Sequence, residues 1–206
     1  MPNVEGMTHI PAVRQAFIVH GYGATPDDHW FPWLATKLEA LDISTQVPML
    51  PDPEAPDPGR WAAALGQAVG VPDDNTVVVA HSLGCITVLR YLLTLSGPWR
   101  LGSLVLVSGF VDKLPALPLL DSYIGEGLDP ARLSKSIGHV AVIRSDGDPY
   151  VPVGYTDALA QMLGTGAVVV PGAGHFLAAD GVTSLPQALE GIPETGNRPK
   201  AGTAGG

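Results

Sequence analysis

Cysteine is almost absent from this sequence, in which Cys85 is the single example. One cysteine cannot form a disulfide bond within the chain, so a disulfide-stabilised fold is excluded and the structure must depend on a hydrophobic core. Apolar residues make up 46% of the 206 residues, which is enough for the core of one domain. This cysteine usage fits a reducing compartment, and we therefore expect a cytoplasmic protein.

Basic residues are also scarce. The chain has 11 lysines and arginines against 20 aspartates and glutamates, and its formal net charge is −9. Nucleic acids and anionic lipid surfaces attract basic proteins, so we expect neither as a partner. The charge does not choose a substrate, and it does not determine the oligomeric state.

Long hydrophobic runs are missing as well. No uninterrupted apolar stretch approaches the ~20 residues that span a bilayer. The first 11 residues lack the basic start and the long apolar run of a secretory signal. No cluster of histidines and carboxylates has metal-ligand spacing, and no phosphate-binding loop is found. We therefore expect no membrane span, no secretory signal, no metal and no cofactor.

Short β-branched segments alternate with segments of helical periodicity, which is typical of βαβ units. Strands are predicted over residues 14–20, 43–49, 76–80, 101–107, 140–144 and 167–170, and helices over residues 28–41, 60–69, 82–95 and 154–163. The pattern predicts an α/β fold in which about six mostly parallel strands have helices on both faces.

The same pattern predicts the domain organisation. We expect one α/β domain over residues 13–190, with a flexible N-terminus over residues 1–12. A disordered tail is expected over residues 191–206, where glycine, proline and polar residues predominate. Residues 109–138 are the least regular connection, and their proline breaks predict a lid or an irregular loop.

The strongest chemical signal is the segment Ala80-His81-Ser82-Leu83-Gly84, which lies between a predicted strand and a predicted helix. A serine becomes a nucleophile when a base can take its proton, and a sharp strand-to-helix turn exposes its hydroxyl. The usual pattern has glycine two residues before and two residues after the serine. Ala80 replaces the first glycine, and we expect this small residue to be tolerated. Ser82 could alternatively be an ordinary helix N-cap.

Two later strands are followed by residues that complete a catalytic triad with Ser82, in the expected chain order of serine, acid and histidine. Asp146 and Asp148 follow one strand, and His175 follows the last strand in a glycine turn. We predict Asp148 as the acid, because it begins an Asp-Pro run that leaves the strand. Asp146 is expected to cap the turn through backbone amides. His175 is predicted to be the base, since its glycine flanks and its position distinguish it from a core histidine.

An oxyanion hole requires two backbone amides that point at one position. One is expected from Leu83, the residue after the nucleophile. The other is expected from the glycine turn after the first strand, where we favour Tyr22 with Gly23 as the alternative. The turn could also be only a tight connection. His20 and His81 are predicted to hold loops by hydrogen bonds.

With these motifs the sequence resembles the α/β-hydrolase superfamily, and more narrowly the small serine hydrolases of the retinoblastoma-binding protein 9 and YdeN type. The segments that resemble this family are Trp30 to Trp33, Met49-Leu50-Pro51-Asp52-Pro53, His81-Ser82-x-Gly84, Leu104-Val105-Leu106-Val107-Ser108, Asp148-Pro149 and Gly174-His175-Phe176. The resemblance implies a compact α/β-hydrolase fold without a large cap domain, and an activity on esters or related acyl bonds.

We therefore expect a serine hydrolase that cleaves ester-type acyl bonds of a small-molecule substrate through an acyl-enzyme intermediate. Two alternatives stay open at this point. One is a hydrolase-fold binding protein without turnover, because a fold does not by itself determine a function. The other is an acyltransferase that uses the same triad.

Overall fold

Six short strands form one parallel sheet within residues 15–193, the part of the chain that the computed structural model describes. The strands are β1 Gln15–Val19, β2 Ser44–Gln46, β3 Thr76–His81, β4 Leu101–Val107, β5 Ile137–Ser145 and β6 Ala167–Val170. Their order in the sheet is β2-β1-β3-β4-β5-β6, and every neighbouring pair is parallel. The predicted α/β fold with six strands is confirmed.

Helices connect these strands. The α-helices within the described residues are α1 Phe31–Glu39, α2 Pro58–Val69, α3 Leu83–Thr94, α4 Asp121–Ile124, α5 Val153–Met162 and α6 Pro186–Glu190. Short 3-10 helices lie at Pro118–Leu120, Ala131–Lys135 and Ala178–Asp180. No helix in this part of the chain is long and apolar enough to cross a membrane.

Strand β3 shows how the sheet divides the hydrophobic core. Val78 and Ala80 belong to an apolar cluster that includes residues of α2, α3 and α5. Val77 and Val79 belong to a second cluster that includes residues of α1 and α6. Side chains alternate between the two faces of a strand, so the clusters lie on opposite faces of the sheet. Helices therefore cover both faces, as predicted.

The start of α1 differs from the prediction. The apolar spacing predicted a helix from Asp28, whereas α1 begins at Phe31. The Asp28 carboxylate accepts hydrogen bonds from the amide and the hydroxyl of Thr25 at 2.7 and 2.8 Å, and His29 has a φ of 56°. Both features belong to a turn and not to a right-handed helix.

Residues 109–138 also differ from the predicted lid or irregular loop. They contain α4 and two of the 3-10 helices, and β5 begins at Ile137. Phe110 and Ile124 are fully buried in the same cluster as α3. Pro118 and Pro130 lie at the starts of the 3-10 helices and do not interrupt the packing. This connection is therefore part of the core.

The disordered tail predicted over residues 191–206 begins too early. The backbone at Gly191 packs against Ala141 of β5 and Val105 of β4, and Ile192 is only 8% exposed. The prediction is wrong for these residues because Ile192 covers the sheet as an apolar side chain. Residues 194–206 and the flexible N-terminus predicted over residues 1–12 lie outside the described part of the chain.

Candidate active site

The candidate site lies at the carboxyl edge of the sheet. Strand β2 lies on one side of β1, whereas β3 and the later strands lie on the other side. The strand order therefore reverses between β1 and β3, where Val19 pairs with Ala80. In open parallel sheets, ligands bind outside the carboxyl ends of the strands at such a reversal. Ser82 follows β3, Asp148 follows β5 and His175 follows β6. The topology therefore brings residues that are far apart in sequence to one edge.

Ser82 occupies a sharp turn between β3 and α3. Its backbone has a φ of 53° and a ψ of −123°, a conformation that costs an L-residue of the order of 1–3 kcal/mol. A Cβ at Gly84 would lie 2.6 Å from the carbonyl oxygens of Val19 and His20, so the turn passes too close to the end of β1 for any side chain there. The hydroxyl of Ser82 makes no N-cap hydrogen bond to α3, which disfavours the capping alternative.

The Ser82 hydroxyl instead faces His175. Its Oγ lies 2.9 Å from Nε2 of His175, and Nδ1 of the same ring lies 2.7 Å from Oδ2 of Asp148. An ionised carboxylate can only accept, so Nδ1 bears the proton and Nε2 is free to accept the hydrogen of the serine. The side chains of His175 and Asp148 are 7% and 3% exposed. The structure thus joins these residues in one hydrogen-bonded chain with the tautomer that a base requires.

Asp148 is held by more than the histidine. Its Oδ1 accepts hydrogen bonds from the amides of Tyr150 and Val151, both at 2.9 Å. Its Oδ2 also accepts from the Ser108 hydroxyl at 2.8 Å. Burial is the largest single influence on the Asp148 pKa and raises it, but His175 and the two amides together hold the pKa below its usual value. Asp148 is therefore ionised at neutral pH.

Asp146 lies outside this chain of hydrogen bonds. Its Oδ1 accepts the amide of Gly172 at 2.7 Å, which joins the loop after β5 to the loop after β6. The residue was expected to bind backbone amides of its own turn, and that detail is wrong. The amide of Gly147 in that turn is bound instead by the hydroxyl of Ser145 at 3.2 Å.

The loop of His175 is fixed by a second carboxylate. Oδ2 of Asp180 accepts the amides of His175 and Leu177 at 2.8 and 3.0 Å. Gly174 has a φ of 54°, and a Cβ there would lie 2.5 Å from Cγ of Asp180. Only glycine fits this position, because the carboxylate fills the space of a side chain. The glycine before the histidine therefore serves the loop geometry.

His20 and His81 hold loops by hydrogen bonds, as predicted. Nδ1 of His20 donates to the carbonyl of Gly21 at 2.9 Å, and its Nε2 accepts the amide of Leu50 at 3.0 Å. Nε2 of His81 donates to the carbonyl of His175 at 2.8 Å. Burial lowers the pKa of both rings, that of His81 well below its ordinary value of 6.5. Both are neutral supports of the surrounding loops.

The amides expected to form an oxyanion hole belong to Leu83, which follows Ser82, and to Tyr22, which follows Gly21. Within residues 15–193, the amides of Tyr22 and Leu83 have no hydrogen-bond partner, whereas the amide of Gly23 donates to the carbonyl of Pro53 at 2.9 Å. A Cβ at Gly21 would lie 3.3 Å from the amide nitrogen of Leu83, so the first glycine turn touches the start of α3. This arrangement favours Tyr22 over Gly23 as the second donor.

Two residues of the site were missed by the sequence reasoning. Ser108 bonds the carboxylate of Asp148, and Asp180 bonds the loop of His175. The position of Ser108 directly after a buried strand could have suggested it, because Ser82, Asp148 and His175 also follow strands. Asp180 gave no such signal. Within the described residues, no group of three or more histidines, cysteines, aspartates or glutamates could hold a metal ion.

Comparison with known proteins places this geometry in a family. The family described as serine hydrolase matches residues 16–193. YdeN of Bacillus subtilis (strain 168) is 39% identical over 173 residues, which cover 84% of this chain and 91% of YdeN. The rat (Rattus norvegicus) serine hydrolase RBBP9 is 22% identical over 159 residues, covering 76% of this chain and 83% of RBBP9.

Solved structures agree with these relatives. The crystal structure of the ydeN gene product from B. subtilis matches with a TM-score of 0.82 at 38% identity, over 86% of this chain and 95% of that one. Est1E from Butyrivibrio proteoclasticus shares the fold, with a TM-score of 0.62 at 14% identity over 88% of this chain and 89% of its own. The resemblance inferred from the motifs is confirmed, and the chain belongs to the serine hydrolase family of α/β-hydrolase fold.

Proposed function

We propose that the protein is a carboxylesterase-like hydrolase that cleaves ester-type acyl bonds through an acyl-enzyme intermediate. Ser82 is the nucleophile, His175 the general base and acid, and Asp148 the residue that orients the base. The main support is the continuous set of contacts from the Ser82 Oγ through His175 to Asp148, at 2.9 and 2.7 Å. Burial of all three side chains adds support, because electrostatic interactions strengthen where water is excluded.

In the first step, Oγ of Ser82 attacks the carbonyl carbon of the substrate. The hydroxyl proton passes to Nε2 of His175, and the carbonyl electrons move to the oxygen. When the tetrahedral intermediate collapses, the bond to the leaving oxygen breaks and that oxygen takes the proton from Nε2. The products of this step are the alcohol and an acyl group bound to Ser82.

In the second step, water takes the place of the alcohol. His175 accepts a proton from the water as its oxygen attacks the acyl carbon, and then returns a proton to Oγ of Ser82. The acid is released and the serine is restored. Asp148 stays ionised throughout, since its role is to hold the imidazole in the required tautomer and to stabilise its positive charge.

The amides of Leu83 and Tyr22 would bind the oxyanion of each intermediate. Their freedom from other hydrogen bonds within residues 15–193 supports this role. Such a donor contributes about 3–4 kcal/mol to transition-state stabilisation in comparable enzymes. The donors are backbone groups, so the hole depends on the two turns and not on a side chain.

Turnover of chromogenic esters by the full chain tests this proposal. Ser82→Ala should reduce kcat by several orders of magnitude, because the nucleophile is lost. Asp148→Asn should reduce it by about 10⁴-fold, since the amide favours the wrong tautomer of His175. Ser134→Ala is the matched control, because this serine is exposed and lies just before the amino end of β5, away from the site.

The outcomes separate the alternatives. Turnover by Ser82→Ala near that of the unaltered protein would contradict the assignment of the nucleophile. Absence of turnover in every protein would favour a binding protein without activity. Formation of a new ester or amide when alcohols or amines compete with water would favour an acyltransferase.

A cytoplasmic location is also proposed, and it is supported by the single, buried cysteine.

A further inference from the structure

Ser108 has an unusual backbone for a serine. It directly follows β4 and its amide donates to the carbonyl of Ile143 at 2.9 Å, which extends the pairing with β5. Its φ is 47°, in the left-handed region that favours glycine. The residue is only 1% exposed. A glycine would adopt this conformation at a lower cost, so the hydroxyl is the feature of this residue that needs an explanation.

The hydroxyl of Ser108 has a specific partner. It donates to Oδ2 of Asp148 at 2.8 Å, the same oxygen that accepts Nδ1 of His175 at 2.7 Å. Oδ1 accepts the amides of Tyr150 and Val151. A carboxylate offers about four acceptor positions, so four donors fill the group. The carboxylate has no position left for water.

These four donors do not have the same effect. The amides of Tyr150 and Val151 belong to the loop of Asp148 and fix the carboxylate only relative to that loop. Ser108 directly follows β4, which pairs with both β3 and β5. Its hydrogen bond therefore relates the orientation of the carboxylate to the rigid sheet that also positions Ser82.

We propose that Ser108 is a positioning residue of the active site, whose hydroxyl holds Oδ2 of Asp148 in line with Nδ1 of His175. The inference rests on the function proposed above. Without the hydroxyl, the carboxylate can turn about its Cβ–Cγ bond and holds the imidazole less firmly. The loss should affect the chemical step and not substrate binding, because Ser108 is buried and its hydroxyl bonds Asp148.

Ser108→Ala is the first test. We expect kcat for ester hydrolysis to fall by about tenfold with little change in KM, as expected when a hydrogen bond to a charged group is lost from the transition state. Ser108→Gly removes the same hydroxyl and relaxes the backbone, so it provides a folded protein if the alanine variant is unstable. Ser103→Ala is the matched control. Ser103 is a buried serine of β4, the strand that Ser108 follows, and its hydroxyl lies 3.5 Å from the carbonyl of Gly191, away from the triad.

A double substitution tests whether Ser108 acts through Asp148. In the Asp148→Asn background, Ser108→Ala should cause almost no further loss of activity, because the carboxylate that it orients is already absent. A loss by the same factor in both backgrounds would overturn the proposal. So would an unchanged kcat in both Ser108→Ala and Ser108→Gly when the unaltered protein is active.

A spectroscopic measurement keeps this test independent of turnover. The proton between Nδ1 of His175 and Oδ2 of Asp148 gives a far-downfield proton NMR resonance. In Ser108→Ala we expect the resonance to move further downfield, since Oδ2 then accepts one donor instead of two, and in Ser103→Ala we expect no change. If no protein hydrolyses an ester, the proposed function fails but the resonance still decides the role of Ser108. An unchanged resonance in Ser108→Ala would overturn it.

Discussion

His81 donates a hydrogen bond from Nε2 to the main-chain carbonyl of His175 at 2.8 Å. The centroids of the imidazole rings of His81 and His175 lie 4.9 Å apart. A carbonyl can only accept, so Nε2 of His81 is protonated. Its Nδ1 is buried without a hydrogen-bond partner in the described residues. The residue before the proposed nucleophile thus fixes the backbone of the proposed base, although the two are far apart in sequence.

This contact predicts the effect of substitutions at His81. Glutamine can place an amide nitrogen near the position of Nε2, whereas phenylalanine keeps the ring shape and removes the donor. We expect His81→Phe to lower kcat by about 10- to 100-fold with a similar KM, because a small displacement of the base is costly. His81→Gln should retain more activity. Equal kcat values for the two variants would show that the hydrogen bond does not position His175.

Stability should depend on pH through the same residue. Burial is the first cause that lowers the pKa of His81, and the neighbouring His175 lowers it further. In the unfolded chain His81 takes up a proton near pH 6.5, whereas burial disfavours its protonated form in the folded chain. The free energy of unfolding should therefore fall as the pH decreases below 6.5. The slope is at most about 1.4 kcal/mol per pH unit for this group, and above 6.5 the contribution is constant.

Denaturant unfolding at several pH values between about 5 and 8 measures this slope. His20 and His29 contribute in the same direction, since burial lowers the pKa of each. Asp148 does not contribute in this range, because its lowered pKa affects stability only below its ordinary value of 3.8. The slope should be smaller in His81→Gln. An equal slope in this variant would contradict the assignment to His81.

The strained backbone of Ser82 predicts which substitution at this position gives the more stable protein. Glycine adopts the φ of 53° at little cost, so Ser82→Gly should be more stable than Ser82→Ala by about 1 kcal/mol while both are inactive. Thermal unfolding measures the difference. At Ser103, in the regular strand β4, the order should reverse, and glycine should be less stable than alanine by about 0.5–1 kcal/mol. The same order at both positions would argue against strain at Ser82.

Sequence patterns predicted the fold well because the central strands β1, β3 and β4 are rich in buried apolar residues. The run of β4 was predicted over its full length, Leu101–Val107. The patterns failed where polar side chains decide the backbone, as at Asp28 and His29, which delay the start of α1. They failed again at Ile192, where the composition predicted disorder. This side chain is instead buried in the apolar cluster that includes residues of α1 and α6.

The candidate site could be predicted in its chain order but not in its supports. Ser82, Asp148 and His175 follow strands, and that position in the pattern is visible in the sequence. Asp180 acts through backbone amides of another residue, and nothing in its own surroundings indicates this. The oxyanion donors and the cytoplasmic location stay predictions.

Labelling with a fluorophosphonate probe shows whether Ser82 is an activated nucleophile. An activated serine displaces fluoride and forms a stable phosphonyl ester, so the mass of the intact protein reports the reaction. We predict one adduct on the unaltered chain, mapped to Ser82, and none on Ser82→Ala or His175→Ala. An adduct on another residue, or no adduct on the unaltered chain, would contradict the assignment of Ser82 as the nucleophile.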